Sequence, residues 1–190
     1  MNTRAEDIFA IRELAANRTT FMDEEDVAGL EPKLWSQLKQ LREGATLRVS
    51  FAGVKMASGA ARKLLDRVLR RIQSGELRGR GLVLDDLSRS VSYNIRVMLL
   101  SEKLCAVARV DGAPPTLLGD VEEALKSTFE FVATRDDATA RDIQDHFKLN
   151  TVAAATNRLA RLQRIGALRR DGPRPLEGGG IEYVFQAVAR

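Results

Sequence analysis

The stretch from Ala138 to Arg170, ATARDIQDHFKLNTVAAATNRLARLQRIGALRR, constrains the fold most. Ala140, Ile143 and Phe147 recur at helical spacing, and Val152, Ala155, Leu159, Leu162 and Ile165 repeat the pattern. Only Lys148-Leu149-Asn150 separates the two periods, which leaves room for a turn and nothing longer. Thr139 is the expected N-cap of the first helix, and Asn150 or Thr151 that of the second, because their side-chain oxygens accept from unpaired backbone N–H groups. Gly166 sits where a helix C-terminus takes a glycine. Beyond it, Ala-Leu-Arg-Arg, a Gly/Pro-rich loop and Ile-Glu-Tyr-Val-Phe predict two strands around a flexible connection.

Charge follows this stretch. The whole chain of 190 residues carries only +4, but between Asn150 and Arg174 the arginines at 158, 161, 164, 169, 170 and 174 face Asp171 alone. Such a concentration suits phosphates. Other chemistries lack their parts. Cys105 is the single cysteine and lies in an apolar run, so a disulfide framework or a cysteine metal site within one chain is excluded. His146 is the single histidine and falls on the first helix of the stretch, where it reads as a surface residue. No nucleophile with a general base can be assembled from it. The expectation is a protein that is not an enzyme, with no catalytic residues, no metal and no cofactor. The N-terminus is polar and acidic and no apolar run reaches the length of a membrane span, so a cytoplasmic location is expected.

The amino-terminal half alternates in period. Ile8–Leu14 reads as a strand. Asp23–Leu41 reads as an amphipathic helix through Val27, Leu30, Leu34 and Leu38, either kinked at Pro32 or split so that Pro32 falls in the first turn of its longer part. Ala45–Phe51 is a strand. Ser58 opens a helix to about Gln73, with Ala61, Leu64, Leu65, Val68, Leu69 and Ile72 on one face and Arg62, Lys63, Arg67, Arg70 and Arg71 on the other. Gly81–Leu87 is a strand, Ser88 or Ser90 caps a helix through Ser101, and Leu104–Val110 is a strand apolar enough for burial on both faces, as in a parallel sheet. Alternation of this kind implies α/β layers. Asp111–Pro115, DGAPP, reads as a linker, dividing the chain into domains at 1–112 and 113–190. Val121–Ala133 then supplies a further helix through Val121, Leu125, Phe129 and Val132.

The carboxy-terminal part, from ATARDIQDHF through TVAAATNRLARL to the I-G-A-L-R-R exit, resembles the winged helix-turn-helix domain of bacterial transcription regulators over about Asp120–Val188. In such a fold the second helix enters the major groove. The resemblance therefore implies Thr151, Thr156, Asn157 and Arg158 near base edges, with Asn157 suited to adenine and Arg158 to guanine. It implies Arg161 and Arg164 at phosphates, with Arg169, Arg170 and Arg174 on the wing and Gly178-Gly179-Gly180 letting it bend. The amino-terminal part resembles STAS-like domains, the fold of the anti-sigma factor antagonists, over about Asp7–Val110. The core of that likeness is VSFAGVKMASGAARKLL, Val49–Leu65. In those antagonists the serine at this turn is phosphorylated by a partner kinase. Ser58 stands at that position, after Met56-Ala57 in place of the usual aspartate–serine pair. A helix N-terminus favours added negative charge, and a serine there equally serves as the N-cap.

The fold class expected is thus an α/β STAS-like domain, a mixed sheet with flanking helices, followed by a winged helix-turn-helix domain. The expected function is a DNA-binding transcriptional regulator acting as a homodimer on double-stranded DNA. Its STAS-like domain would take a signal or a protein partner such as a kinase-like ATPase or another regulator, with no role for a membrane. The alternative is an interaction adaptor in which the winged helix docks protein.

Overall fold

The computed structural model describes residues 7–77, 79–175 and 180–189. A five-stranded sheet lies at the centre, in the order β1 (Asp7–Ala10), β3 (Thr46–Ser50), β5 (Gly81–Leu87), β6 (Cys105–Val110), β7 (Thr116–Gly119). The first four strands are parallel, and β7 runs antiparallel to β6. Each parallel strand lies beside its predecessor in the same direction. Right-handed crossovers then place every connecting helix on one face. These are α2 (Leu30–Gln40), α3 (Ser58–Gln73) and α4 (Arg89–Ser101). A short helix α1 (Ile11–Leu14) and a two-strand parallel pair, β2 (Thr20–Phe21) with β4 (Lys55–Met56), complete this part.

The period-two alternation of the strands divides two cores. Leu47 and Val49 on β3, Leu82 and Leu84 on β5, and Ala106 and Ala108 on β6 point into the first core, with α2, α3 and α4. Val83, Val107 and Leu117 point the other way, into a second core built by α5 (Glu123–Ala133), α6 (Ala140–Phe147), α7 (Val152–Arg164) and an antiparallel pair, β8 (Leu168–Pro175) with β9 (Ile181–Ala187). The carboxy-terminal elements therefore form a third layer on the sheet's second face. The chain end closes the contact. Thr46 donates from Oγ1 to the Val188 carbonyl at 2.9 Å, and Arg109 donates to the Ala189 carbonyl. Gly81 has no side chain because a Cβ there would sit 2.7 Å from Val188 Cβ. At the rim of this contact Arg109 and Arg48 converge on the buried Asp85, with Arg48 Nε 2.6 Å from its Oδ2.

Several expectations change. The strand read at Ile8–Leu14 stops at Ala10, and Ile11–Leu14 is helical, with Ile11 buried and left-handed backbone at Ala16 and Asn17 turning the chain. Of the two forms expected for Asp23–Leu41, the split one occurs: a 3-10 turn at Glu25–Val27 precedes α2, which holds Pro32 in its first turn, where a missing N–H costs nothing. Ser58 is not the N-cap of α3; Ala57 is, with no side-chain cap, and Ser58 is the first helical residue. The segment 111–115 is the loop between β6 and β7 rather than a spacer leaving the sheet. Asp111 and Gly112 turn the chain through positive φ, and Thr116–Gly119 returns along β6. The sequence expectation did not include β7, since four residues are too few to show a period. Val121 lies outside α5, half-buried.

Candidate nucleic-acid interface

The turn between α6 and α7 is built by local chemistry. Thr139 caps α6 in a reciprocal arrangement. Its Oγ1 accepts from Asp142 N at 3.2 Å, and its own N donates to Asp142 Oδ2 at 2.8 Å. Lys148 ends the helix in left-handed conformation, φ 51°. Thr151 caps α7, accepting from Ala154 N at 3.2 Å. Ala155, Leu159 and Leu162 anchor α7 to the second core. Its far side is open, with Val152, Ala153, Thr156, Asn157 and Ala160 exposed.

The residues expected at DNA fall into three groups. Asn157 and Arg164 are exposed and make no side-chain hydrogen bond or ion pair among the described residues. Thr151 and Thr156 are exposed but locally engaged, Thr151 as the cap and Thr156 through a hydrogen bond from its hydroxyl to the Val152 carbonyl at 3.0 Å. The remaining arginines are held by the protein. Arg158 is half-buried, its guanidinium 5.4 Å from the Phe147 ring centre and 3.4 Å from Thr128 Oγ1. Arg161 grips Glu122 with two hydrogen bonds, at 2.8 and 2.6 Å, which hold the Glu122 carboxyl below its ordinary range. Arg169 donates to Gln186 Oε1 and, at 2.9 Å, to the Gly44 carbonyl, so it joins the carboxy-terminal layer to the start of β3. Arg170 stacks 4.2 Å over Tyr183, and Arg174 bonds Asp137 at 2.7 Å. Gly178 and Gly179 lie outside the described residues; Gly180 precedes β9 with φ 94°.

The last turn of α7 has a neighbour. A cleft of about 600 Å³ separates it from the C-terminal turn of α3, with Gln163 and Arg164 on one wall and Gln73, Ser74 and Arg80 on the other. Both helices aim their carbonyl ends at it, and the arginines around it offset those dipoles. At its floor Gly166 approaches Ile72, whose Cγ2 would be 2.7 Å from an added Cβ. The first two turns of α7 lie away from this cleft. Arg141 on α6 and Lys148 in the turn, neither singled out from sequence, are further exposed cations of this helix pair. Periodicity alone would have shown their exposure, but no sequence signal pointed to Glu122 as the counterion of Arg161, 39 residues away.

Ser58 is exposed at the first turn of α3, beside Gly59 and on the far side of the sheet from α7. Asp85 is occupied by its two arginines, and Asp86 accepts from Ser50 Oγ at 2.7 Å. Among the described residues no cluster of ligating side chains could hold a metal ion, and no helix is long and apolar enough to cross a membrane. His146 is exposed and stacks against Phe131 with ring centres 4.1 Å apart. Comparison with family models, curated proteins and solved structures finds no match to the chain.

Proposed function

We propose that the protein is a DNA-binding transcriptional regulator in which about residues 120–188 act as a winged helix-turn-helix and the preceding α/β part acts as a STAS-like input domain. The observation that carries this reading is the α6–α7 pair. A capped four-residue turn leaves the outer side of the first two turns of α7 exposed, with Asn157 there making no side-chain hydrogen bond or ion pair among the described residues. The antiparallel pair β8–β9 follows, where a wing would stand. Asn157 would read a base edge, and Lys148, Arg164 and Arg170 would meet phosphates. The protein would act as a homodimer on paired half-sites. The α/β part supports the input role through its parallel strand–helix order and the exposed Ser58 at the start of α3.

The test is a duplex selected from a random pool, with affinity measured against salt. Asn157→Ala should relax preference at one base pair by about tenfold, as expected for loss of one bidentate contact. Arg164→Ala should weaken binding to all duplexes and flatten the salt dependence. Selection that yields no preferred sequence, together with affinities untouched by both substitutions, would refute DNA reading by α7.

A second reading, an adaptor whose carboxy-terminal layer docks protein, draws on one observation. Arg158, Arg161, Arg169 and Arg174 are bound within the chain, and Val152 at the start of α7 is an exposed apolar side chain. Failure of the selection experiment would favour it.

A further inference from the structure

A second group of exposed cations lies away from α7, on α3 and α4. That layer carries Arg62, Lys63, Arg67, Arg70, Arg96 and Lys103. The carboxylates Asp66 and Glu102 answer two of them: Arg62 bonds Glu102 at 3.0 Å, and Arg70 bonds both Asp66 and Glu102 at 2.8 Å. Lys63, Arg67, Arg96 and Lys103 have no ion-pair partner among the described residues. Alongside Arg96 on α4 runs an apolar stripe. Tyr93, Val97 and Leu100 are 68, 43 and 46% exposed, spaced i, i+4, i+7 along α4. The opposite side of the same helix is seated in the first core by Val91, Ile95, Met98 and Leu99. An exposed apolar stripe at helical spacing in a layer that also carries unpaired cations is a surface suited to a partner.

We infer that the outer face of α3 and α4 docks an acidic amphipathic helix of a protein partner. Charge complementarity selects that occupant. A second copy meeting this face about a twofold axis would set the same cations against themselves, which costs free energy. Duplex DNA would satisfy the cations but gain nothing from the aliphatic stripe. A helix with apolar anchors at i, i+4 and i+7 fills the stripe, and carboxylates along its flanks meet Lys63 and Arg96. Tyr93 is the residue type that carries binding energy at such centres. The face lies across the sheet from the carboxy-terminal layer, so a partner bound here leaves α7 uncovered. This deepens the docking half of the proposed function and does not depend on DNA binding.

The experiment uses the full chain and a labelled helical peptide with leucines spaced i, i+4, i+7 and glutamates elsewhere. Anisotropy should report binding that weakens as salt rises. The exposed pair Lys63→Glu with Arg96→Glu, and separately Tyr93→Ala with Leu100→Ala, should each weaken it about tenfold or more. Asn157→Ala with Arg164→Ala, which should impair DNA binding, should leave the peptide affinity unchanged. Circular dichroism melts check that each variant is folded. Equal binding of a glutamate-to-lysine peptide, or indifference to the charge reversal, overturns the proposal. So does tighter binding to phosphatidylglycerol–phosphatidylcholine vesicles than to the peptide, with the same substitutions releasing them, since the occupant would then be a membrane surface.

Discussion

Replacing Glu122 by glutamine tests whether an arginine of α7 is withheld from phosphate by the protein itself. Arg161 stands four residues beyond Asn157, on the same outward side of α7, yet both ends of its guanidinium are satisfied by Glu122. The two side chains are half-exposed or more, so the pair adds little to stability and Glu122→Gln should fold normally. The hydrogen bonds from Arg161 hold the Glu122 carboxyl below its ordinary range. Whatever the pair contributes is therefore present above the unfolded pKa and lost only as acid titrates the folded carboxyl, so the pair is intact at neutral pH. Freed in the variant, Arg161 can neutralise one more phosphate. One added contact steepens the slope of log affinity against log salt by about 0.9. Between ~50 and ~200 mM salt, that slope makes the variant lose roughly 3.5-fold more affinity than the parent. Fluorescence anisotropy on one duplex across that range reads the difference directly. Parallel slopes would refute the reasoning. So would a flattened slope in Arg161→Ala on the parent background, because Arg161 would then already reach phosphate with Glu122 in place.

Two further outcomes follow from the shared sheet. Phe129 is fully buried in the second core while Trp35, the single tryptophan, packs against the first, so Phe129→Ala should cost about 3–5 kcal/mol and move the Trp35 fluorescence transition and the circular dichroism transition together. A Trp35 midpoint that stays in place would mean that the two cores unfold separately. Burial, and then the Asp120 charge, push the Cys105 thiol up to about 11; the neutral thiol thus adds stability below its unfolded pKa that fades as pH rises toward 11, and at pH 8 roughly one native molecule in a thousand carries the thiolate. Thiol labelling at that pH should proceed only through unfolding, and a native rate equal to that in denaturant would show the burial to be wrong.

The α/β order was legible because long apolar periods leave little choice. Gly81–Leu87 and the helix from Ser58 to Gln73 occur where the pattern places them, and the near-continuous apolar run around Cys105 does lie between a layer on each face. What covers the second face was not legible. A strand buried on both sides predicts two covering layers but does not name them, and Val83, Val107 and Leu117 give no sign that their partners are Leu125, Phe129 and Val188. The prolines at 114 and 115, read as part of a linker, stand in the loop between β6 and β7. Two adjacent prolines stop regular structure equally well in a linker and in the loop of a strand pair, and only the pairing of β7 with β6 separates the two.

The arginines teach the sharper lesson about the candidate site. Sequence locates charge along the chain, whereas binding depends on charge left unpaired at a surface. Counted from Asn150 to Arg174, the carboxy-terminal stretch looks the more basic, yet partners for its arginines come from outside the window: the carboxylates of Glu122 from before α5 and Asp137 from before α6, and the neutral Gly44 carbonyl from the other half of the chain. Asn157 and Arg164 make no side-chain hydrogen bond or ion pair among the described residues. On α3 the reverse holds. Its arginines and lysine read in sequence as an ordinary solvated helix face, and nothing in the linear pattern says that α4 lies alongside with an apolar stripe and further unpaired cations. The parallel sheet brings the two helices into one layer and produces a surface that neither helix encodes alone. Charge reversal at Lys63 and Arg96 should therefore disturb peptide docking and spare sequence preference on DNA, whereas Asn157→Ala should do the opposite. A single substitution that moved both readouts together would show the two faces to be coupled through the sheet rather than independent.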